Sequence, residues 1–179
     1  MDVKYFIIKS NTSCIDNVNP KSPASSGRLD VILDFIIESL NLRNDVRRDV
    51  TVYALLAGCE EYVMEVSGKD LRRPIHSEYE LLNLIASRKL KIWRENFQNL
   101  LQRLLSNGVK LYYLHERGEP VSKFRFIGSV GFIIGDQDGL TASDEKIIND
   151  LGIPWISLNS IPYLSWYCSV IINALLDKV

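Results

Sequence analysis

Three short constellations in this 179-residue chain carry residue types that can do chemistry. Gly135-Asp136-Gln137-Asp138-Gly139 sets two carboxylates between glycines, directly after an apolar run. Glycine lets a ligand approach the backbone, and ligands of α/β folds gather beyond the carboxyl ends of strands. The loop is neither GxGxxG nor a P-loop, so phosphate binding has no motif behind it, and a ligand loop and a plain turn both fit. Gly27-Arg28-Leu29-Asp30 places a cation and a carboxylate where a polar stretch becomes a helix. Either a reactive pair or an ordinary helix start with a favourable acid accounts for it. Arg47-Arg48-Asp49 is either a phosphate contact or a closed ion-pair cluster.

Other reactive types are sparse. Residues 69–94 hold Lys69, Arg72, Arg73, Arg88, Lys89, Lys91 and Arg94 against Asp70, Glu78 and Glu80, a local balance of +4. Such a stretch suits RNA phosphates, or is a solvated face whose counter-charges come from elsewhere. Cys168 falls on an apolar helical face with no base near it in sequence, the pattern of a small core residue. His115 reads as a surface loop residue, and no Ser/His/Asp arrangement is present.

These residues need elements to position them. Strand patterns cover residues 3–9, 51–57, 62–66, 90–93, 110–114, 130–134 and 155–158. Gly58-Cys59-Glu60-Glu61 joins two of them as a hairpin. Helical periodicity places Leu29, Ile32, Leu33, Ile36, Ile37 and Leu40 on one face. Further helices are expected over 80–88, from Phe97 to Asn107-Gly108, after a Ser143 cap, and over 161–176. Residues 10–26, rich in Ser, Asn and Pro, form a long loop of the kind that is usually functional. The strand–helix alternation gives an α/β class with a mostly parallel sheet.

Composition bounds the rest. Hydrophobic residues make up 46% and the formal charge is −1, which excludes a uniformly basic coat and an acidic disordered tail. No apolar run reaches the roughly 20 residues of a membrane helix, and the first residues do not resemble a secretory leader. Three cysteines, without a Cys-x-x-Cys pair, make a disulfide framework or closed zinc site improbable and suggest a reducing compartment.

In chain order, Gly27-Arg28-Leu29-Asp30, Arg47-Arg48-Asp49-Val50, Tyr112-Tyr113-Leu114-His115, Phe132-Ile133-Ile134-Gly135-Asp136, Ile156-Ser157-Leu158, Cys168 and Asp177-Lys178 resemble the archaeal-type tRNA (pseudouridine-54-N1)-methyltransferases of the SPOUT class. The resemblance spans nearly the whole chain. It departs at Ser165-Trp166-Tyr167, where the family usually has a histidine before the cysteine. The resemblance implies one domain over 1–179, with a C-terminal trefoil knot and cofactor site in about 109–179 and an RNA-facing part in about 1–108. It implies S-adenosylmethionine (SAM) held by Leu114, Gly135, Ser157, Leu158, Asn159, Ile161 and Cys168. Asp30 is then the candidate base, Arg28 the group that holds the target ring or its phosphate, and Arg47, Arg48, Arg72 and Arg73 the RNA-backbone contacts. A cytoplasmic homodimer packed through the last helix, acting on tRNA without a metal, completes the expectation. Another RNA base as target, or a weakly active RNA-binding module that keeps the fold, stays open.

Overall fold

The computed structural model describes residues 2–16 and 18–177. Seven strands form one sheet: β1 (Lys4–Ser10), β2 (Val50–Leu56), β3 (Tyr62–Ser67), β4 (Lys91–Arg94), β5 (Lys110–Pro120), β6 (Val130–Gly135) and β7 (Trp155–Ser157), in the order β4-β3-β2-β1-β6-β5-β7. The β1–β2, β1–β6, β5–β6 and β5–β7 pairs are parallel, while β2–β3 and β3–β4 are antiparallel. The mostly parallel α/β sheet read from the alternation is therefore present.

Strand side chains alternate between two cores, as the period of 2 requires. Phe6, Ile8, Phe132, Ile134, Tyr112 and Leu114 face one core, with α1 (Leu29–Leu40), α2 (Glu78–Ala86) and α5 (Ser165–Leu176). Ile7, Ile133, Leu111 and Tyr113 face the other, with α3 (Phe97–Ser106) and α4 (Ala142–Asp150). Covering on both faces explains why β2 is buried along its whole length and lacks polar alternation.

Four local expectations are corrected. The final helix starts at Ser165 rather than 161, because Pro162 has no N–H and biases Ile161 away from helix. The residues freed by this are lining for the site below. The cap of α4 is Thr141, two residues before Ser143, and Asp144 completes a reciprocal capping box with it. β5 runs on to Pro120, and its register on β7 shifts between Leu114 and Glu119. A Cβ at Gly118 would lie 2.6 Å from the Ile156 backbone, so only glycine lets β5 cross β7 so closely.

The fourth concerns cysteine. Cys14 and Cys59 form a disulfide across a sequence separation of 45, with Cα atoms 5.3 Å apart. The fold brings the loop after β1 against the β2–β3 turn, a proximity that spacing along the chain does not reveal. The cysteine-based argument for a reducing compartment falls with it. No helix is long and apolar enough to cross a membrane among the described residues.

Candidate active site at the carboxyl edge of the sheet

The parallel strands β1, β6, β5 and β7 end on the same edge of the sheet, and a cavity of about 340 Å³ opens there. Six of the seven expected cofactor residues line it: Leu114, Gly135, Leu158, Asn159, Ile161 and Cys168. Ser157, the seventh, is buried just behind it, its hydroxyl donating to the Asn159 carbonyl at 2.8 Å. Residues 159–164 stay outside the helix because α5 starts late, and Ser165 Oγ donates to the Gly135 carbonyl at 2.6 Å. The start of α5 is thereby tied to the end of β6. A Cβ at Gly135 would lie 2.7 Å from the Gly139 backbone, so this loop folds back on itself only with glycine there.

The lining is chemically one-sided. Glu116, Asp136, Asp138 and Glu145 contribute carboxylates, and neither lysine nor arginine among the described residues lines the cavity. Asp136 is buried; Oδ1 accepts from the Asp138 N–H at 3.0 Å, while Oδ2 has no protein partner. Burial pushes the Asp136 carboxyl above the usual carboxylate range, the Ser10 hydroxyl pulling the other way. Such a cavity repels a phosphorylated ligand and favours a cationic one. Ile134, Leu140, Ile161, Pro162 and Cys168 supply an apolar wall. Burial raises the Cys168 thiol to about 11, so it is an uncharged wall residue and not a nucleophile at neutral pH. The donor set therefore fits SAM, a sulfonium cation with an apolar purine.

His115 corrects the surface reading given to it. It lies in the cavity wall, its ring centroid 5.1 Å from that of Trp155, which in turn meets Tyr113 edge-on at 4.8 Å. Glu145 accepts from the Tyr113 hydroxyl at 3.2 Å. Burial beside that carboxylate pushes the phenol far above its ordinary range, so it stays protonated as a donor.

Arg28 and Asp30 belong to the same edge. Arg28 precedes α1 with a left-handed backbone (φ 61°, ψ 40°). Its Nε and Nη2 each donate to the Asp30 carboxylate at 3.0 Å, while Nη1 has no partner among the described residues. The pairing with Asp30, reinforced by the more distant charge of Asp138, holds the guanidinium pKa above its ordinary value. Asp138 thus stands between the cavity and the Arg28–Asp30 pair.

The four other arginines sit elsewhere. Arg47 and Arg48 precede β2, and Arg72 and Arg73 follow β3, which runs antiparallel to β2; all four lie at the opposite edge. Arg47 makes a two-pronged bond to Asp177, both contacts 2.9 Å. Arg48 binds Asp45 and the Leu71 carbonyl, and Arg73 binds Glu80. Arg72 alone of the four keeps its guanidinium unpaired among the described residues. It lies beside a cleft of about 780 Å³ that Glu65, Glu80, Lys89 and Lys91 also line.

Comparison with known proteins agrees with this geometry. A family model described as "Putative SAM-dependent RNA methyltransferase" matches residues 3–179. The chain belongs to that family. A tRNA (pseudouridine(54)-N(1))-methyltransferase of Pyrobaculum aerophilum is 34% identical over 84% of this chain and 96% of its own. One of Methanocaldococcus jannaschii is 31% identical over 98% of this chain and 97% of its own. The structure of Archaeoglobus fulgidus Nep1 bound to S-adenosylhomocysteine superposes with a TM-score of 0.65, covering 100% of this chain and 99% of that one at 15% identity. At that identity the likeness speaks for the shared fold.

Within the family frame, the ligand loop at Gly135 and the Gly27–Asp30 turn are the features that chain order made visible. Asp136 and Asp138 of the acidic lining are visible in that loop, whereas Glu116 and Glu145 are not, because they come from β5 and α4.

Proposed function

We propose that this protein transfers the methyl group of SAM to N1 of pseudouridine 54 in the T-loop of tRNA. The observation that carries the reading is the acid-lined cavity, without lysine or arginine among the described residues, set beside the Arg28–Asp30 pair on one sheet edge. The names of the relatives supply the target base.

SAM, when bound, supplies a methyl carbon already activated by a sulfonium, so the residues have alignment and proton transfer to accomplish. Leu114, Gly135, Leu158 and Asn159 present the backbone that would hold it, with Ile161 and Cys168 against the purine. As N1 of the target becomes methylated, Asp30 would take the N1 proton. Arg28, with Nη1 free, holds the uracil-like ring or its phosphate and offsets charge developing on the ring. A base in the folded T-loop must swing out to reach this edge. Arg72 contacts RNA phosphate at the distant cleft, while Arg47, Arg48 and Arg73, expected to do the same, are held in their ion pairs.

The finer architecture follows the same reading. The passage of β5 across β7 at Gly118, ahead of the helix that closes the cavity, suits a C-terminal trefoil knot in a single SPOUT-type domain over 1–179. Ile161, Tyr163, Leu164, Tyr167 and Val170 are exposed around the start of α5, an apolar patch suited to a homodimer that is formed next to the cavity. A tRNA-modifying enzyme of this kind acts in the cytoplasm.

The test is direct. Purified protein, SAM and tRNA carrying pseudouridine 54 should yield a 14-Da gain mapped by mass spectrometry to that nucleoside. Methylation elsewhere redirects the reading to another RNA base. SAM binding or RNA binding without any methylation replaces it with a binding module.

A further inference from the structure

The segment between β1 and α1 packs lightly, with Ile15 and Val18 partly buried against the core. Within residues 11–28 only Ser13 is buried among the described positions. Yet this segment ends in Arg28, a non-glycine residue in the left-handed region, which persists only where the surroundings impose it.

Three backbone layers impose it. Residues 12–14 lie between residues 26–27 on one side and 57–58 on the other. Cys14 N–H donates to the Ser26 carbonyl at 3.2 Å, and Gly58 N–H donates to the Ser13 carbonyl at 2.9 Å. The Gly27 carbonyl accepts from the hydroxyls of both Thr12 and Ser13 at 2.9 Å. The layers touch without side chains between them: a Cβ at Gly27 would lie 1.8 Å from the Thr12 carbonyl oxygen, and one at Gly58 would lie 2.1 Å from it. Cys14–Cys59 is the one covalent tie across this stack.

We propose that the Cys14–Cys59 cross-link is a positioning device for the substrate side of the reaction, fixing the strap that sets Arg28, and through it Asp30, toward the RNA. The assignment rests on the function proposed above. The cross-link and the cofactor cavity share no residue, so its effect falls on RNA and leaves SAM binding intact.

A Cys14→Ala/Cys59→Ala variant should raise KM for tRNA about tenfold, as small misplacements of positioning groups do. Its dissociation constant for SAM alone should change less than about twofold. The two losses should not add: Arg28→Ala, severe in the cross-linked protein, should cost little more in the double-alanine background. Full additivity, or an unchanged KM, overturns the proposal, as does a non-reducing peptide map without the cross-link. Should the variant fail to fold, wild type treated with a dithiol gives the same comparison. The disulfide becomes two thiols as the dithiol closes to its own disulfide. Amide exchange should then rise at residues 11–28 and 57–61 but not at 134–140. Unchanged exchange overturns the strap. If instead exchange rises while wild type transfers no methyl group to tRNA, the strap stands and the proposed function fails.

Discussion

The two edges of the sheet use charge in opposite ways. At the carboxyl edge, four carboxylates line a cavity to which no lysine or arginine among the described residues contributes, and the ion pair beneath it, Lys9–Asp144, is buried and completed by Asn11. At the other edge, arginines are matched to acids at the surface: Arg47 to Asp177, Arg48 to Asp45 and Arg73 to Glu80. Of the basic residues in the 69–94 stretch, Arg73, Lys91 and Arg94 are paired with acids while Lys69, Arg72, Arg88 and Lys89 have no ion pair among the described residues, whereas uncompensated negative charge, the mark of a waiting ligand, collects around the cavity. Local charge counts mislead because pairing is decided in space.

The largest way to break this contrast is at the carboxyl edge. Asp30→Asn keeps the shape and a hydrogen-bond acceptor but removes the proton-accepting carboxylate. Turnover on tRNA should fall about 10³-fold, with SAM affinity measured by calorimetry unchanged. Undiminished turnover would remove Asp30 from the proton transfer. The next effect is on stability. Lys9→Met strands the Asp144 carboxylate in the interior, which should cost about 3–5 kcal/mol in urea unfolding. Burial by itself would raise the Asp144 carboxyl, but bonds from Lys9, Asn11 and Thr141 outweigh it and hold the group below its ordinary range. A depressed carboxyl stabilises the fold above its unfolded pKa of about 3.9 and loses that contribution as the pH falls through the folded value. The wild type should therefore lose stability below about pH 4 more steeply than Asp144→Asn.

Much of this was legible along the chain, for identifiable reasons. Apolar periodicity located α1, and the run before Gly135 announced β6 and its ligand loop, because both signals are local. What stayed hidden depended on contacts between distant segments. Cys14 meets Cys59 only once β1 and β2 pair, and His115 enters the cavity only when Trp155 from β7 lies against it. The start of α5 was misplaced because Leu164 and Ile161 fit a helical pattern, while Pro162 and the bond from Ser165 to Gly135 decide otherwise. The sequence leaves Arg47 open between phosphate contact and ion pair, because its acid, Asp177, is 130 residues away.

Asp136 sharpens the contrast from within the cavity. Its carboxyl is raised mainly by burial, so in the empty protein its ionisation opposes folding as the pH rises from the unfolded pKa through the folded one. Asp136→Asn should therefore make the ligand-free protein more stable than the wild type at pH 8, as read by urea unfolding. The same change should weaken SAM several-fold, since one of the carboxylates that would offset the ligand's positive charge is lost. A variant both more stable and unchanged in SAM affinity would deny the carboxylate any part in the ligand's charge balance.

The smallest effects separate the arginines of the opposite edge from one another. Arg47 spends its planar fork on Asp177, an interaction of about 0.5–1 kcal/mol for a partly exposed pair. Arg47→Gln should lower stability by about that amount and leave the salt dependence of tRNA binding as it was. Arg72 has no such partner among the described residues, so Arg72→Gln should leave stability unchanged. It should also reduce the slope of log affinity against log salt by up to about 1, the loss of one neutralised phosphate. Titrations of both variants at several salt concentrations distinguish them. If the slopes fall equally, the Arg47–Asp177 pair opens to RNA, and the opposite edge is a latent basic surface held shut in the free protein.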